Sequence, residues 1–200
     1  KYTFRVRACN NDGIWNEDWH HAAFVALTGQ NAAYCTDYDG TANEFAAMAQ
    51  WNLLYQGQWY SWQKQRRGSD SRGCPSSAFV CFLENHDQVA NTGRGVRLHQ
   101  MSQAGRWRAL VSLLLLGPQI PMLFQGQECA TSVPFTYFAD HEGDLAEAVR
   151  KGRLEFLSQF PPLTDRPTAG GPEPGVHIRG IRLSGGTPLE NDALVDPQEL

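Results

Sequence analysis

SAFVCFLENHDQVANTGRGVR, residues 77–97, is the stretch of the chain that decides its fold. Residues 78–83 form an apolar run of small, aromatic and β-branched side chains, typical of a strand buried on both faces of a parallel sheet. Five polar residues follow it directly: Glu84, Asn85, His86, Asp87 and Gln88. Ligands bind at the carboxyl ends of strands in α/β sheets and barrels, so we predict that His86 and Asp87 belong to a functional site. The alternative is a polar loop with a helix N-cap.

A second strand of the same kind is predicted at residues 120–124, and it ends at Gly126, Gln127 and Glu128. Between the two strands, residues 107–116 form a strongly apolar helix that Gly117 and Pro118 close. Alternation of strand and helix predicts an α/β fold with right-handed crossovers. We expect the two strands to be parallel neighbours, with Asp87 and Glu128 at the same end of the sheet.

Other segments carry weaker signals. Alternation at residues 2–6 predicts a half-buried strand, and the apolar run at 22–28 predicts a helix that Gly29 ends. Thr41 and Glu44 have capping-box spacing, which indicates the start of another helix. Residues 54–74 are expected to form a long aromatic-rich loop, and 145–160 an amphipathic helix.

The segment WNEDWHH, residues 15–21, is unusually rich in groups that bind ligands. Its candidate side chains are Trp15, Asp18, Trp19, His20 and His21. The histidines have surface capping or structural hydrogen bonding as an alternative role. A zinc site is disfavoured because adjacent histidines rarely reach one ion, and an HxxxH spacing is absent.

Composition limits the classes of function. The hydrophobic fraction of 42% predicts a packed core, and a net charge of −4 without a basic stripe argues against nucleic acid as a partner. No apolar run is long enough to span a bilayer, so no membrane association is expected. Five widely spaced cysteines without a CxxC motif favour a reducing, cytoplasmic setting. No cofactor is expected, and nothing in the sequence predicts an oligomeric state.

The two ends of the chain differ from its middle. Lys1 in place of Met suggests that the chain starts inside a longer reading frame. Residues 161–200 are rich in Pro and Gly and show no sustained period, which indicates a linker or a poorly ordered tail.

Several motifs, in the right order, resemble those of malto-oligosyltrehalose trehalohydrolases, members of the α-amylase superfamily of (β/α)8-barrel glycoside hydrolases. They are YQGQWYSWQKQRRG (55–68), FLENHDQVANTG (82–93), PMLFQGQE (121–128), PFTYFADHE (134–142) and LAEAVRKGR (145–153). The resemblance implies that residues 17–160 are the last third of the barrel, strands six to eight, followed by an irregular tail. Residues 1–16 form an atypical segment that resembles the end of a Tyr-rich β-sandwich sensor module.

The resemblance also implies roles for the candidate residues. Asp87 falls on the family's transition-state-stabilising carboxylate, and His86 on its conserved histidine. The substrate would be maltooligosyl-trehalose or a related α-glucan, and the reaction would release trehalose. The other residues expected to bind this substrate are Asn85, Gln88, Trp15, Asp18, Trp19, His20, His21 and Glu128; of these, the tryptophans are expected to stack on sugar rings.

The nucleophile and the general acid of the family lie upstream of the matching segment, and this chain has no counterpart to either. We therefore expect a fragment that is inactive alone, since a complete barrel needs about 250 residues. Two alternatives remain open: a fragment of a glycogen-branching or other α-amylase-superfamily enzyme, and a non-catalytic carbohydrate-binding or sensor remnant.

Overall fold

The computed structural model describes residues 13–160, so the strand expected at residues 2–6 and the tail at 161–200 lie outside the described residues. The regular elements follow one another as β1 (Ile14–Asn16), α1 (Glu17–Thr28), α2 (Ala42–Trp51), β2 (Gln56–Tyr60), β3 (Gln65–Gly68), β4 (Phe79–Phe82), α3 (His86–Asn91), α4 (Ala104–Leu116), β5 (Ile120–Met122) and α5 (Gly143–Leu157). Short 3₁₀ turns occupy Ala33–Cys35, Ser76–Ala78 and Leu98–Met101.

Three of the strands form a parallel sheet in the order β1-β4-β5. Phe79 pairs with Ile14, and Val80 pairs with Ile120, so β4 is the central strand. The predicted parallel pairing of β4 with β5, joined through α4, is confirmed. β1 belongs to this sheet, although the sequence assigned all of residues 1–16 to a separate segment. Its three residues are too short a run to show a pattern of their own.

α1 packs on one face of the sheet. Asn16 and Cys81 point to that face, where Asn16 Nδ2 donates a hydrogen bond of 2.6 Å to Asn52 O at the end of α2. α1 contacts β4, α2 and α4, and therefore lies in the middle of the core. Trp15 and Ile120, on the opposite face, remain about half exposed.

α1 begins earlier than the apolar run predicted. Asn16 caps the helix by accepting a hydrogen bond from Trp19 N at 3.3 Å, so residues 17–21 of the WNEDWHH segment are helical. Gly29, with φ of 73°, ends the helix as predicted, because a left-handed residue at this point favours glycine. The capping box of α2 is also confirmed, since the Glu44 carboxylate accepts from Thr41 N at 2.7 Å.

The expected loop at residues 54–74 contains an antiparallel hairpin, β2–β3. Its inner side packs on a cluster of tyrosines in which Tyr60 contacts Tyr55 and Tyr38 edge to face. Gly68 closes the hairpin at φ of 72°, and a Cβ at this position would lie 1.8 Å from Tyr55 O. Periodicity did not reveal the hairpin because only one of its strands buries a residue.

Among the described residues, no helix is long and apolar enough to cross a membrane.

Candidate functional site

The polar turn after β4 starts the short helix α3. Asn85 is its N-cap: the side-chain oxygen accepts hydrogen bonds from Asp87 N at 2.9 Å and Gln88 N at 3.4 Å. The Gln88 side-chain oxygen in turn accepts from Asn85 N at 3.2 Å. The N-cap alternative is therefore right for Asn85, which is buried and not open to a substrate, whereas Gln88 is partly exposed.

His86 and Asp87 point away from the core in the first turn of α3. Their side chains are 58% and 69% exposed, and His86 Nε2 lies 3.5 Å from Asp87 Oδ1. The cap holds the backbone of Asp87 while its carboxylate remains open to a ligand. A rigid backbone with an exposed carboxylate is what a residue needs to place a charge beside a substrate.

Glu84, one residue before the cap, is a structural group. It is 1% exposed, accepts a hydrogen bond from Leu98 N at 2.7 Å, and lies 3.9 Å from the Arg97 guanidinium. Arg97 also donates to Gln125 O at 2.9 Å and Val133 O at 3.1 Å. Burial raises the pKa of Glu84. This ion pair ties the turn that carries Asp87 to the loop that follows β5.

Glu17 is a second carboxylate at this edge of the sheet, and sequence reasoning did not select it. It follows β1 directly, its side chain is 49% exposed, and Arg67 Nη2 lies 3.8 Å from its Oε2. Partial burial raises the pKa of Glu17, and the negative charges of Asp18 and Asp87 act in the same direction. Its position directly after the end of β1 is the sequence feature that could have identified Glu17 as a site candidate.

Asp18 is bound by groups of the protein itself, although it lies in the wall of a cleft of about 880 Å³ that Trp15 and Glu17 also line. It is 3% exposed, and its two oxygens accept four hydrogen bonds from within the protein. The donors are Tyr38 OH at 2.7 Å, Tyr55 N at 2.9 Å, Leu54 N at 3.0 Å and Arg67 Nε at 3.0 Å. These donors use its acceptor capacity and join α1 to the hairpin, which gives Asp18 a structural role; its contact with a substrate stays a prediction.

Trp19, His20 and His21 are also buried, so the expectation that they contact a substrate is corrected too. Trp19 packs edge to face on Phe45 at 5.3 Å. His20 Nδ1 donates to Leu83 O at 2.5 Å, and His21 stacks on Tyr34 with centroids 4.8 Å apart. The structural alternative is right for both histidines, since α1 is covered by the sheet and its neighbouring helices.

Trp15 and Glu128 remain accessible. Trp15 is 48% exposed and contacts the Phe82 ring edge to face at 5.4 Å. Glu128 is exposed and lines a groove of about 790 Å³ beside Trp107 and Arg108 of α4. Both Asp87 and Glu128 follow the carboxyl ends of neighbouring parallel strands, but Asp87 does not line that groove. Within residues 13–160, no group of three His, Cys, Asp or Glu side chains is placed to hold a metal ion.

The stability of the protein should fall in mild acid because His20 is buried without charge. Burial lowers the pKa of His20 from 6.5 to about 4, and it lowers the pKa of His21 as well. Since the unfolded chain takes up the proton first, the His20 contribution is complete above pH 6.5 and is lost as pH falls towards 4. Each pH unit in this window should cost about 1 kcal/mol for His20, and the raised pKa of Glu84 should offset part of this loss.

The measurement is the free energy of unfolding in urea at a series of pH values, for the wild-type chain and for His20→Gln. The wild-type curve should slope downward below neutral pH, and the variant should show a flatter slope. A wild-type free energy that stays constant between about pH 7 and 4.5 would contradict the burial of a neutral His20.

Comparison with known proteins identifies relatives of this chain. No protein-family model matches the chain. Malto-oligosyltrehalose trehalohydrolase from Deinococcus radiodurans is 40% identical over 153 residues, which are 74% of this chain and 25% of that protein. The proteins of the same name from Saccharolobus solfataricus and Mycobacterium tuberculosis are each 32% identical over 72% of the chain. The chain thus spans about a quarter of the length of these curated relatives.

A solved structure agrees with the sequence matches. The crystal structure of a Salmonella typhimurium protein described as a "putative alpha amylase" aligns with a TM-score of 0.66 and 41% identity. The alignment covers 73% of this chain and 25% of that one.

Proposed function

Because the chain is homologous over 74% of its length to malto-oligosyltrehalose trehalohydrolases, we propose that it forms the carboxyl-terminal part of the barrel of a retaining glycoside hydrolase. The enzyme would belong to the α-amylase superfamily and release trehalose from maltooligosyl-trehalose. In this proposal the three parallel strands are barrel strands six, seven and eight. The widely spaced cysteines support a reducing, cytoplasmic setting.

One observation carries the assignment of Asp87. It is an exposed carboxylate on a backbone that the Asn85 cap holds, directly after the central strand of a parallel sheet. Cleavage of a glycosidic bond passes through a positively charged, oxocarbenium-like transition state. A fixed carboxylate beside the sugar stabilises that charge more than it stabilises the neutral substrate.

Glu17 and His86 would support Asp87. Glu17 adds negative potential at the same edge of the sheet, as its electrostatic interaction with Asp87 indicates. His86, 3.5 Å from Asp87, is placed to hydrogen-bond a sugar hydroxyl. Trp15 offers an exposed ring on which a pyranose could stack.

The chain alone should release no trehalose above background, because Asp87 stabilises a transition state that other carboxylates must create. The nucleophile and general acid would be supplied by the part of the barrel that precedes the matched segment in the relatives. Removing one member of such a catalytic group usually removes most of its effect. The assay is trehalose release from maltotriosyl-trehalose by the purified chain.

A chimera provides the positive control. The matched segment of this chain replaces its counterpart in the Deinococcus radiodurans relative, which leaves the relative's other three quarters in place. Release of trehalose by the chimera but not by the chain supports the proposal. A chimera that folds and cleaves or branches amylose without releasing trehalose would assign the segment to a different α-amylase-superfamily activity. Trehalose release by the chain alone at ordinary enzyme turnover would also contradict the proposal.

A further inference from the structure

Arg97 lies where the loop after β4 meets the loop after β5, and its side chain is buried between them. The guanidinium donates from Nη1 to Gln125 O at 2.9 Å and from Nε to Val133 O at 3.1 Å. Its central carbon lies 4.9 Å from the centroid of the Phe124 ring. One side chain therefore holds the loop after β5 at both of its ends.

The same guanidinium faces the turn that carries Asp87. Nη1 of Arg97 lies 3.9 Å from Oε1 of Glu84. Glu84 directly precedes Asn85, the N-cap that holds the backbone of Asp87. Arg97 thus connects the two loops that follow the carboxyl ends of neighbouring parallel strands, one with Asp87 and the other with Glu128.

A second contact fixes the separation of these loops two residues before Arg97. Phe135 N donates a hydrogen bond to Gly95 O at 3.0 Å. Gly95 has φ of 68°, and a Cβ at this position would lie 2.6 Å from the backbone of Phe135. Glycine permits this approach because it has no Cβ. The backbone contact at Gly95 and the side-chain contacts of Arg97 together determine how far the loops lie from each other.

The cost of burying these charges argues against a role in stability alone. A buried ion pair loses hydration that attraction often does not repay, and an apolar pair of similar volume is frequently as stable. Oε1 of Glu84 also has no hydrogen-bond partner, which adds to the cost. What a guanidinium offers, and an apolar side chain does not, is a rigid set of donors that holds several acceptors in fixed directions.

We propose that Arg97 is a positioning residue for the glycosidase site, where it fixes Asp87 relative to the loop that follows β5. Because Arg97 is buried, it acts through the placement of Asp87 and not by contact with the sugar. A misplacement of about 1 Å at a reacting centre can lower turnover about a hundredfold, so the separation of the loops matters for the rate. This inference rests on the proposed function, because it takes Asp87 as the carboxylate that stabilises the transition state.

The first test compares Arg97→Lys with Arg94→Lys in the active chimera, well below the melting temperature of each variant. Lysine keeps the charge, but one ammonium group does not reproduce the two directed bonds of the guanidinium. The kcat of Arg97→Lys should fall about ten- to a hundredfold. Its KM should change by less than about twofold, because the lost interaction belongs to the transition state. Arg94, exposed on the same loop, is the matched control and should change neither value.

A double variant decides whether Arg97 acts through Asp87. In the Asp87→Asn background the charge to be positioned is already absent, so Arg97→Lys should lower kcat by less than about a further twofold. A general distortion of the barrel would instead lower kcat by the same factor in both backgrounds. That result, or an unchanged kcat in Arg97→Lys alone, would overturn the proposal and leave the proposed function standing.

Gly95→Ala tests the separation of the loops without changing a charge, and it applies even if Arg97→Lys does not fold. Its methyl group would push the loops apart, whereas Gly93→Ala adds a similar backbone strain, at φ of 74°, with no atom within 4 Å of the new Cβ. Gly95→Ala should lower kcat about tenfold or more, and Gly93→Ala should lower only the melting temperature. Equal kcat values for the two variants would overturn the proposal. An unsubstituted chimera that folds and releases no trehalose would overturn the proposed function as well.

Discussion

Asp87→Asn should lower the turnover of an active chimera by about a hundred- to a thousandfold, or about 3–4 kcal/mol of transition-state stabilisation. The substitution keeps the size of the side chain but removes the charge that would stabilise the cationic sugar ring. The fold should tolerate it, because the carboxylate is exposed and only the backbone N–H of Asp87 takes part in the cap. Turnover of maltotriosyl-trehalose and thermal melting of both versions are the measurements.

Asp70→Asn is the matched control for this experiment. Asp70 is also an exposed aspartate, but it is paired with Arg72 on the hairpin side of the molecule. Its substitution should change neither turnover nor melting. If Asp87→Asn instead leaves turnover within a few-fold while the melting temperature drops sharply, Asp87 is a structural residue and its catalytic assignment is wrong.

Asp18→Asn should destabilise the fold by about 3–5 kcal/mol, the usual cost of breaking a buried ion pair from one side. The new amide group would face Tyr38 OH and Arg67 Nε, which are donors, and would leave the half-exposed Glu17 as the counter-charge of the Arg67 guanidinium. The measurement is the free energy of unfolding in urea, with Asp70→Asn again as the exposed control.

A double variant separates the charge from the hydrogen bonds. Arg67→Met removes the positive charge, so Asp18→Asn combined with Arg67→Met should lose less stability than the sum of the single variants. A loss below about 1 kcal/mol for Asp18→Asn would show that the carboxylate behaves as a surface group and would contradict its burial.

The sheet could be predicted from the sequence because its buried strands and its crossover helix are continuous apolar runs. Each of these runs favours one type of element. They are residues 78–83, 107–116 and 120–124, and they overlap β4, α4 and β5. β1 and the hairpin could not be predicted in this way. β1 is three residues long, and the hairpin is stabilised by tyrosine packing and by Arg67, which local periodicity does not record.

For the candidate site, strand order determined the position of one residue, and the site itself stays a prediction. The position of Asp87 follows from the end of β4, and the exposed carboxylate agrees with that prediction. For Asp18, Trp19, His20 and His21, the sequence shows groups that can bind a ligand, but the same groups can equally bind the protein itself. Which of the two occurs depends on α2, the hairpin and β4, whose residues lie far along the chain.

The buried contact between His20 and Leu83 provides a second explanation for a loss of activity on the acid side of a pH–rate profile. Such a limb is ordinarily assigned to the protonation of a catalytic group. Here the Leu83 carbonyl that His20 holds comes four residues before Asp87, and the pKa of His20 is lowered to about 4. Protonated His20 would keep this hydrogen bond but would bury a charge, which destabilises the core on which the turn that carries Asp87 rests. Lost activity at low pH would then report the unfolding of the core around His20 and not the titration of a catalytic group.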